Sequence, residues 1–365
     1  MDTYRIKTSE TVTPPVVTVR LKDGRSVKKV ADKSFLKTGR SDIRSYIQLL
    51  FFFLTMWIGV DFYLFMDGLE KGVASTAARP PGVEGFLPIS ALMSFRYFLL
   101  TGIVNHIHPS GFFIFIAVLL ISTFMKKGFC SWICPVGYIS ESLFLLGKKI
   151  FGRNFTLPKW IDVPLRSLKY VLLAFFLISV STLSVEELGS FIHSDYNKVA
   201  DIKMYLFFAH VSAISIIVIG ALIVLSLFYK NFWCRYGCPY GALLGITSLI
   251  SPMKIRRVDQ TCIDCGKCAD ACPSYLPVDK LEAVNSAECT ACYSCVEACP
   301  VKNTLNMSMR SGVKGLSQKQ YALLLVGVYF GIVGVAMLAG LWQNTVSAHE
   351  YLSLFEKIGS ISHGF

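Results

Sequence analysis

The chain has 365 residues, of which 53% are hydrophobic and only 16% charged, whereas about a quarter of an ordinary soluble protein is charged. That argues against a water-soluble domain of this size. Lys and Arg outnumber Asp and Glu by 36 to 24, a net +12, which alone points to nucleic acid, anionic lipid or membrane sidedness. Twelve cysteines are too few to staple so long a chain, and all fall in four tight groups between Cys130 and Cys299, as metal sites do.

In chain order, residues 1–45 form a polar, basic arm. It lacks the charged start and immediate apolar stretch of a cleavable signal, so the first apolar run is expected to be an uncleaved anchor. Within the arm, alternating β-branched residues at 16–22 and 25–30 flank Asp23-Gly24, which predicts a hairpin. The arm as a whole is expected to lie on anionic headgroups.

Five runs approach the ~20 apolar residues that span a bilayer: 47–66, 111–125, 169–185, 205–229 and 321–342. The basic residues divide unequally between the segments they separate. The arm, 126–169 and 230–319 together hold 30 Lys and Arg, and the remaining segments hold 6. With the basic segments inside, the N-terminus and every cysteine are cytoplasmic, where thiols stay reduced. The charge then follows membrane sidedness, which removes the case for nucleic acid. A sixth apolar run, 86–104, contains Arg96. Counting it as a span would place Lys126, Lys127 and Cys130 outside, so it is read as an interface or re-entrant helix.

Two short motifs follow the second and fourth runs. The first is Cys130-Ser-Trp-Ile-Cys134-Pro135-Val-Gly137; the second, Cys234-Arg-Tyr-Gly-Cys238-Pro239-Tyr-Gly241, lies 104 residues later. C-x3-C-P-x-G at equivalent places predicts a parallel internal duplication about an axis along the membrane normal. Proline there suits a helix start or a sharp stop. The four thiols could share a further iron–sulfur cluster or another soft metal, cycle through a disulfide, or be inert packing. The duplicated spacing favours a redox or metal role.

Between the fourth and fifth runs, C-x2-C-x2-C-x3-C-P is written twice, at Cys262, Cys265, Cys268, Cys272 and at Cys289, Cys292, Cys295, Cys299. Three close thiolates grip three corners of a 4Fe–4S cube while the fourth serves the other cube. One cluster is therefore assigned to Cys262, Cys265, Cys268 and Cys299, and the second to Cys289, Cys292, Cys295 and Cys272. Zinc wants two pairs per site, which a triplet with a distant fourth does not supply. Residues 258–307 resemble the bacterial two-cluster ferredoxins. That resemblance implies two low-potential one-electron carriers able to exchange electrons.

The combination of motifs over residues 51–307 resembles the membrane polyferredoxins of the NapH, NosR and CcoG type. The chain is expected to depart from NosR in carrying no N-terminal flavin domain with its Thr attachment motif, and from CcoG in carrying only a short tail where a sandwich domain would follow. The resemblance implies electron transfer between the quinone pool and a respiratory or metal-handling partner.

Polar residues near the membrane are further candidates, since intramembrane ionisable groups are costly. Asp61 lies in the first run and His210 in the fourth; Arg96, His106, His108 and His193 fall in outer segments. They could form an outer quinol site or supply haem ligands. Electrons from an outer site would have to cross ~30 Å of hydrocarbon, so a quinone site near the inner face and the paired-cysteine motifs is preferred. No Walker loop, Rossmann fingerprint or nucleophile elbow is present.

The expected fold is an α-helical polytopic bacterial inner-membrane protein of about five transmembrane helices, with an inserted α+β two-cluster ferredoxin domain. Expected boundaries are 1–45 for the arm, 46–253 for the membrane domain, 254–312 for the ferredoxin domain, 321–343 for the last helix and 344–365 for an outer tail. The expected function is an electron-transfer subunit, such as a quinol dehydrogenase component, with lipid, quinone and a respiratory redox protein as partners. The competing reading is a CcoG-like copper reductase or oxidase assembly factor.

Overall fold

The computed structural model describes residues 16–20, 26–30, 43–72, 78–152, 155–310 and 315–361. The chain forms two compact units. The smaller takes in 1–41, 253–284 and 293–317, and the larger 42–252, 285–292 and 318–365.

In the smaller unit, β1 (Val16–Arg20) and β2 (Ser26–Val30) pair antiparallel, with Val16 opposite Val30 and Arg20 opposite Ser26. These are the strands expected of the hairpin; its Asp23-Gly24 turn lies outside the described residues.

The larger unit begins with α1 (Ile43–Glu70), whose 28 residues rise about 42 Å, more than the hydrocarbon thickness. Phe51, Phe62, Phe65, Met66 and Leu69 are buried along one side, while Phe53, Trp57, Tyr63 and Leu64 are exposed, the pattern of a helix with one protein face and one lipid face. The 86–104 run becomes a 3-10 turn at Pro81–Phe86 and then α2 (Pro88–Thr101), 14 residues long and closed by Gly102 at φ 73°. That is too short to span.

Next comes α3 (Pro109–Met125), 17 residues with eleven of them buried. After a short turn, α4 (Gly128–Trp132), the chain enters α5 (Pro135–Phe151), α6 (Lys159–Thr182), α7 (Val185–His193), α8 (Asp195–Lys198), α9 (Ala200–Ala209), α10 (Ala213–Phe228) and α11 (Pro239–Thr247). Gly147 lets α5 approach the Leu227 carbonyl of α10, because a Cβ there would collide with it.

In the smaller unit, β3 (Lys254–Arg257) pairs antiparallel with β4 (Leu305–Ser308), Ile255 lying opposite Met307. The turns α12 (Lys267–Asp270) and α13 (Ser294–Ala298) accompany a small core of Ile255, Val278, Val284, Val301 and Met307. The larger unit ends with α14 (Gln318–Leu338) and α15 (Ala348–Glu356).

Among the described residues, three helices are long and apolar enough to cross a membrane: Ile43–Glu70, Trp160–Thr182 and Gln318–Leu338. The five expected runs are therefore not five straight spans. The run 205–229 breaks by 84° between α9 and α10, because the Ser212 hydroxyl accepts the Ser215 N–H at 3.2 Å and starts a new helix. If that bent pair is one span, the count is four. The run at 111–125 is short and largely enclosed by protein.

Candidate metal centres

Four cysteines of the smaller unit line one cavity: Cys262, Cys265, Cys268 and Cys299, together with Ile263, Pro300, Val301 and Leu305. This is the set that the crossed spacing assigns to one cluster. The loop that carries the first three is bent sharply, with Asp264 at φ 50° and Gly266 at φ 70°. A left-handed conformation at a non-glycine residue is strained, and the strain wraps the cysteines around one space. Cys265 is exposed, Cys262 half-buried, and Cys268 and Cys299 are buried. Burial pushes the Cys268 thiol up to about 11, so ionising it needs a cation.

The donor set fits an iron–sulfur cluster: four soft sulfurs around one space, with Arg257, Asp264, Asp279 and Thr304 also on its lining. Among the described residues no group of three or more His, Cys, Asp or Glu could hold a single metal ion. A four-iron cube takes one thiolate per iron and spreads its ligands more widely.

The second set repeats the bend, with Ala291 at φ 50° and Tyr293 at φ 61°. Cys272, Cys289, Cys292 and Cys295 are all buried. Cys289 and Cys292 lie on the segment 285–292, which belongs to the larger unit. That segment is held there by specific contacts. The Ser131 hydroxyl donates to the Thr290 carbonyl at 2.6 Å, and Trp132 Nε1 donates to the Ala291 carbonyl at 3.0 Å. Lys169 Nζ meets the Glu288 carboxylate at 2.6 Å.

The two paired-cysteine motifs come together in the larger unit: the thiols of Cys130, Cys134 and Cys238 all act electrostatically on Cys234. Cys134 and Cys238 are the N-caps of α5 and α11, each followed by proline at the first helical position. Of the two roles expected of proline, helix start is the one observed. The glycine two residues further on is also accounted for. A Cβ on Gly137 would strike the Cys130 carbonyl, and a Cβ on Gly241 would touch Cys238 Sγ and Lys127 Nζ, both at 3.5 Å. The second motif is clamped by Arg235, which donates two hydrogen bonds to Asp162 at 3.0 and 3.1 Å, while the Tyr236 hydroxyl donates a third at 2.6 Å.

Burial raises the Cys130 thiol to about 12 and the Cys134 thiol to about 11, and pushes Cys234 well above its ordinary range. Neutral thiols are poor ligands and nucleophiles, so these three need positive charge to work. Lys127 is buried beside them. Burial opposes its ammonium, but the Cys130 thiol, the Glu288 carboxylate and the thiols of Cys238 and Cys234 raise its pKa overall. Burial likewise opposes the Glu288 carboxylate, and Lys127 and Lys169 outweigh it, lowering the pKa.

The polar candidates fare differently. Among the described residues no hydrogen bond or ion pair joins Asp61, Arg96, His106, His108 and His210 to one another. Arg96 donates to the Val180 carbonyl. His106, His193 and His210 are exposed and Asp61 half-buried. His108, by contrast, enters a buried network. Arg79 pairs with Asp201 at 2.5 Å and Glu84 at 2.7 Å. Glu84 also accepts from Ser110 and from the Gly111 N–H at 2.9 Å. His108 Nε2 donates to the Asn197 carbonyl at 2.6 Å, and its Nδ1 stands 3.3 Å from Arg79.

Sequence reasoning missed Arg79, Glu84 and Asp201, and also Lys127, Lys169 and Glu288. The nearest signal was an acidic residue isolated in a run of apolar and small residues, as Glu84 is, and the pair Lys126-Lys127 that precedes Cys130 by three residues.

A family described as "4Fe-4S binding domain" matches residues 107–154 and again 211–257, and one described as "4Fe-4S dicluster domain" matches 254–300. The chain is 43% identical over 326 residues to YccM of Escherichia coli (strain K12), whose name marks it as a candidate electron transport protein. That alignment covers 88% of this chain and 91% of YccM. It is 30% identical over 188 residues to the ferredoxin-type protein NapH of the same organism, covering 48% of this chain and 59% of NapH. It is 29% identical over 262 residues to the methylamine utilization ferredoxin-type protein MauN of Methylorubrum extorquens, covering 68% of this chain and 84% of MauN. No solved structure matches.

Proposed function

The chain belongs to the membrane polyferredoxin-type family, and from that premise we propose that it relays single electrons between the membrane quinone pool and a respiratory redox partner. The observation that carries this reading is the cavity lined by Cys262, Cys265, Cys268 and Cys299, a complete ligand set assembled from two distant stretches of chain.

A 4Fe–4S cluster supplies reversible one-electron transfer when bound. Cys262, Cys265, Cys268 and Cys299 would hold one such cluster, and Cys272, Cys289, Cys292 and Cys295 the second. Cys130, Cys134, Cys234 and Cys238 would form a further redox or metal site, with Lys127 supplying positive charge beside the thiols. The quinone would bind near the inner face beside the paired motifs. One family description matching twice supports the parallel duplication, and the 30-to-6 division of Lys and Arg supports cytoplasmic clusters and N-terminus in an inner membrane. The ferredoxin segment is then a domain inserted between the broken span and α14.

The test is anaerobic purification of the full chain into liposomes, followed by iron analysis, EPR and mixing with a quinol analogue. About eight irons in the ferredoxin segment and quinol-driven bleaching are expected. Stoichiometric zinc would overturn the clusters. Reduction of added Cu(II) with no quinol coupling would replace the relay with a metal reductase.

A further inference from the structure

The larger unit holds the paired-cysteine motifs and the Cys289–Cys292 loop against each other. Ser131, next to Cys130, donates to the carbonyl of Thr290, next to Cys289; Trp132 donates to the carbonyl of Ala291, next to Cys292. Trp132 is fully buried and Cys289 and Cys292 nearly so, so the contact excludes water. Two more residues fix the loop. Glu288 is held by Lys169 and by the Tyr170 hydroxyl at 3.3 Å. Gly245 of α11 leaves room for Ala287, whose carbonyl would stand 2.9 Å from a Cβ at 245. The loop is thus seated on the motif itself.

Electron tunnelling weakens steeply with distance and passes more readily through covalent and hydrogen bonds than through empty space. Of the twelve cysteines, Cys265 of the other set is the exposed one. We infer that the Ser131–Thr290 and Trp132–Ala291 hydrogen bonds are the electron bridge from the paired-cysteine site to the ferredoxin segment. A group held by Cys289 and Cys292 would then exchange with the membrane site, and one held by Cys262, Cys265, Cys268 and Cys299 with the redox partner. This rests on the relay proposed above. With a metal centre held by the paired cysteines, that site would lose one electron and the group held by the ferredoxin cysteines would gain one in each passage, with no bond formed or broken. A quinol supplies two such electrons in succession and releases two protons, and a one-electron acceptor protein removes them.

The experiment uses the full chain in liposomes, a quinol analogue as reductant and stopped-flow bleaching of the iron–sulfur absorbance, with rates normalised to bound iron. Ser131→Ala and Trp132→Phe each remove one donor, and Gly245→Ala displaces the loop from the opposite side. Ser131→Ala and Trp132→Phe should each slow bleaching about fivefold, the factor that the net worth of one buried hydrogen bond makes in a docking equilibrium, and Gly245→Ala should slow it in the same direction, with iron content and midpoint potentials unchanged in all three. Unchanged rates in all three would overturn the bridge. Full-speed bleaching in Cys130→Ser and Cys234→Ser would instead overturn the relay through the paired motifs. If those two variants are dead while the three bridge variants run at full speed, only the bridge fails.

Discussion

The membrane unit contains two buried polar clusters built on opposite plans. Around Arg79 every charge has a counter-charge and every hydrogen bond a partner: Arg79 between Asp201 and Glu84, Glu84 on Ser110 and Gly111, His108 on Asn197. Around Lys127 four thiols are gathered by the fold, and burial holds those of Cys130, Cys134 and Cys234 in the neutral form. A satisfied network fixes one arrangement of the chain. A group of buried soft donors beside a cation holds chemistry in reserve. The first cluster should therefore answer mutation in stability and the second in redox behaviour.

The sharpest way to break this contrast is Arg79→Met. It leaves the Glu84 and Asp201 carboxylates buried without their cation, a loss of about 3–5 kcal/mol, read as thermal unfolding in liposomes. Iron per folded molecule should not change. A loss below about 1 kcal/mol would put Arg79 on a par with an ordinary surface substitution, and the network would not be what holds the fold.

Acid provides the next largest effect. Burial opposes the Glu84 carboxylate, yet Arg79 and its hydrogen-bond donors bring it down to about 2 from an ordinary 4.5. A depressed carboxylate stabilises the fold fully above its unfolded value, and the contribution is lost as pH falls from about 4.5 towards 2, here about 3 kcal/mol. Glu84→Gln should flatten that acid limb. An unaltered limb in the variant would assign the acid sensitivity to another carboxylate.

These two clusters also show what the sequence could and could not convey. The ferredoxin cysteines were readable because their ligand set is mostly local: three thiols within seven residues, with backbone bends at Asp264 and Gly266 to aim them. The paired motifs were readable as motifs, but the convergence of Cys130 with Cys234 is a product of helix packing, as at Gly147 against Leu227. Arg79 and Asp201 are separated by 122 residues, and neither has a neighbour that announces the other. The difference between the expected runs and the observed helices has a related reason. Hydropathy registers the run 205–229, but not the Ser212 cap that breaks it.

In the thiol cluster, Cys234→Ser should cost only about 1 kcal/mol of stability, the scale of one buried polar change. Its main consequence should be loss of quinol-driven cluster reduction, with the unfolding temperature lowered by only a few degrees. A variant that bleaches normally would make the four thiols packing groups, and both clusters would then be structural.

The smallest effect, and the finest test of the satisfied plan, is Tyr351→Phe. The Tyr351 ring lies 5.9 Å from the Arg79 guanidinium carbon and its hydroxyl accepts from Asn344 Nδ2 at 2.7 Å. Phenylalanine keeps the ring over the cation and drops one hydrogen bond whose donor is already partly exposed, so the loss should be about 0.5 kcal/mol. Tyr351→Leu removes the aromatic face as well and should cost more, because the cation–π contact is desolvated. Equal losses in the two variants would mean that packing volume, not the charge of Arg79, is what Tyr351 serves. Quinol-driven reduction should be the same in both, since among the described residues no hydrogen bond or ion pair joins this network to the thiols.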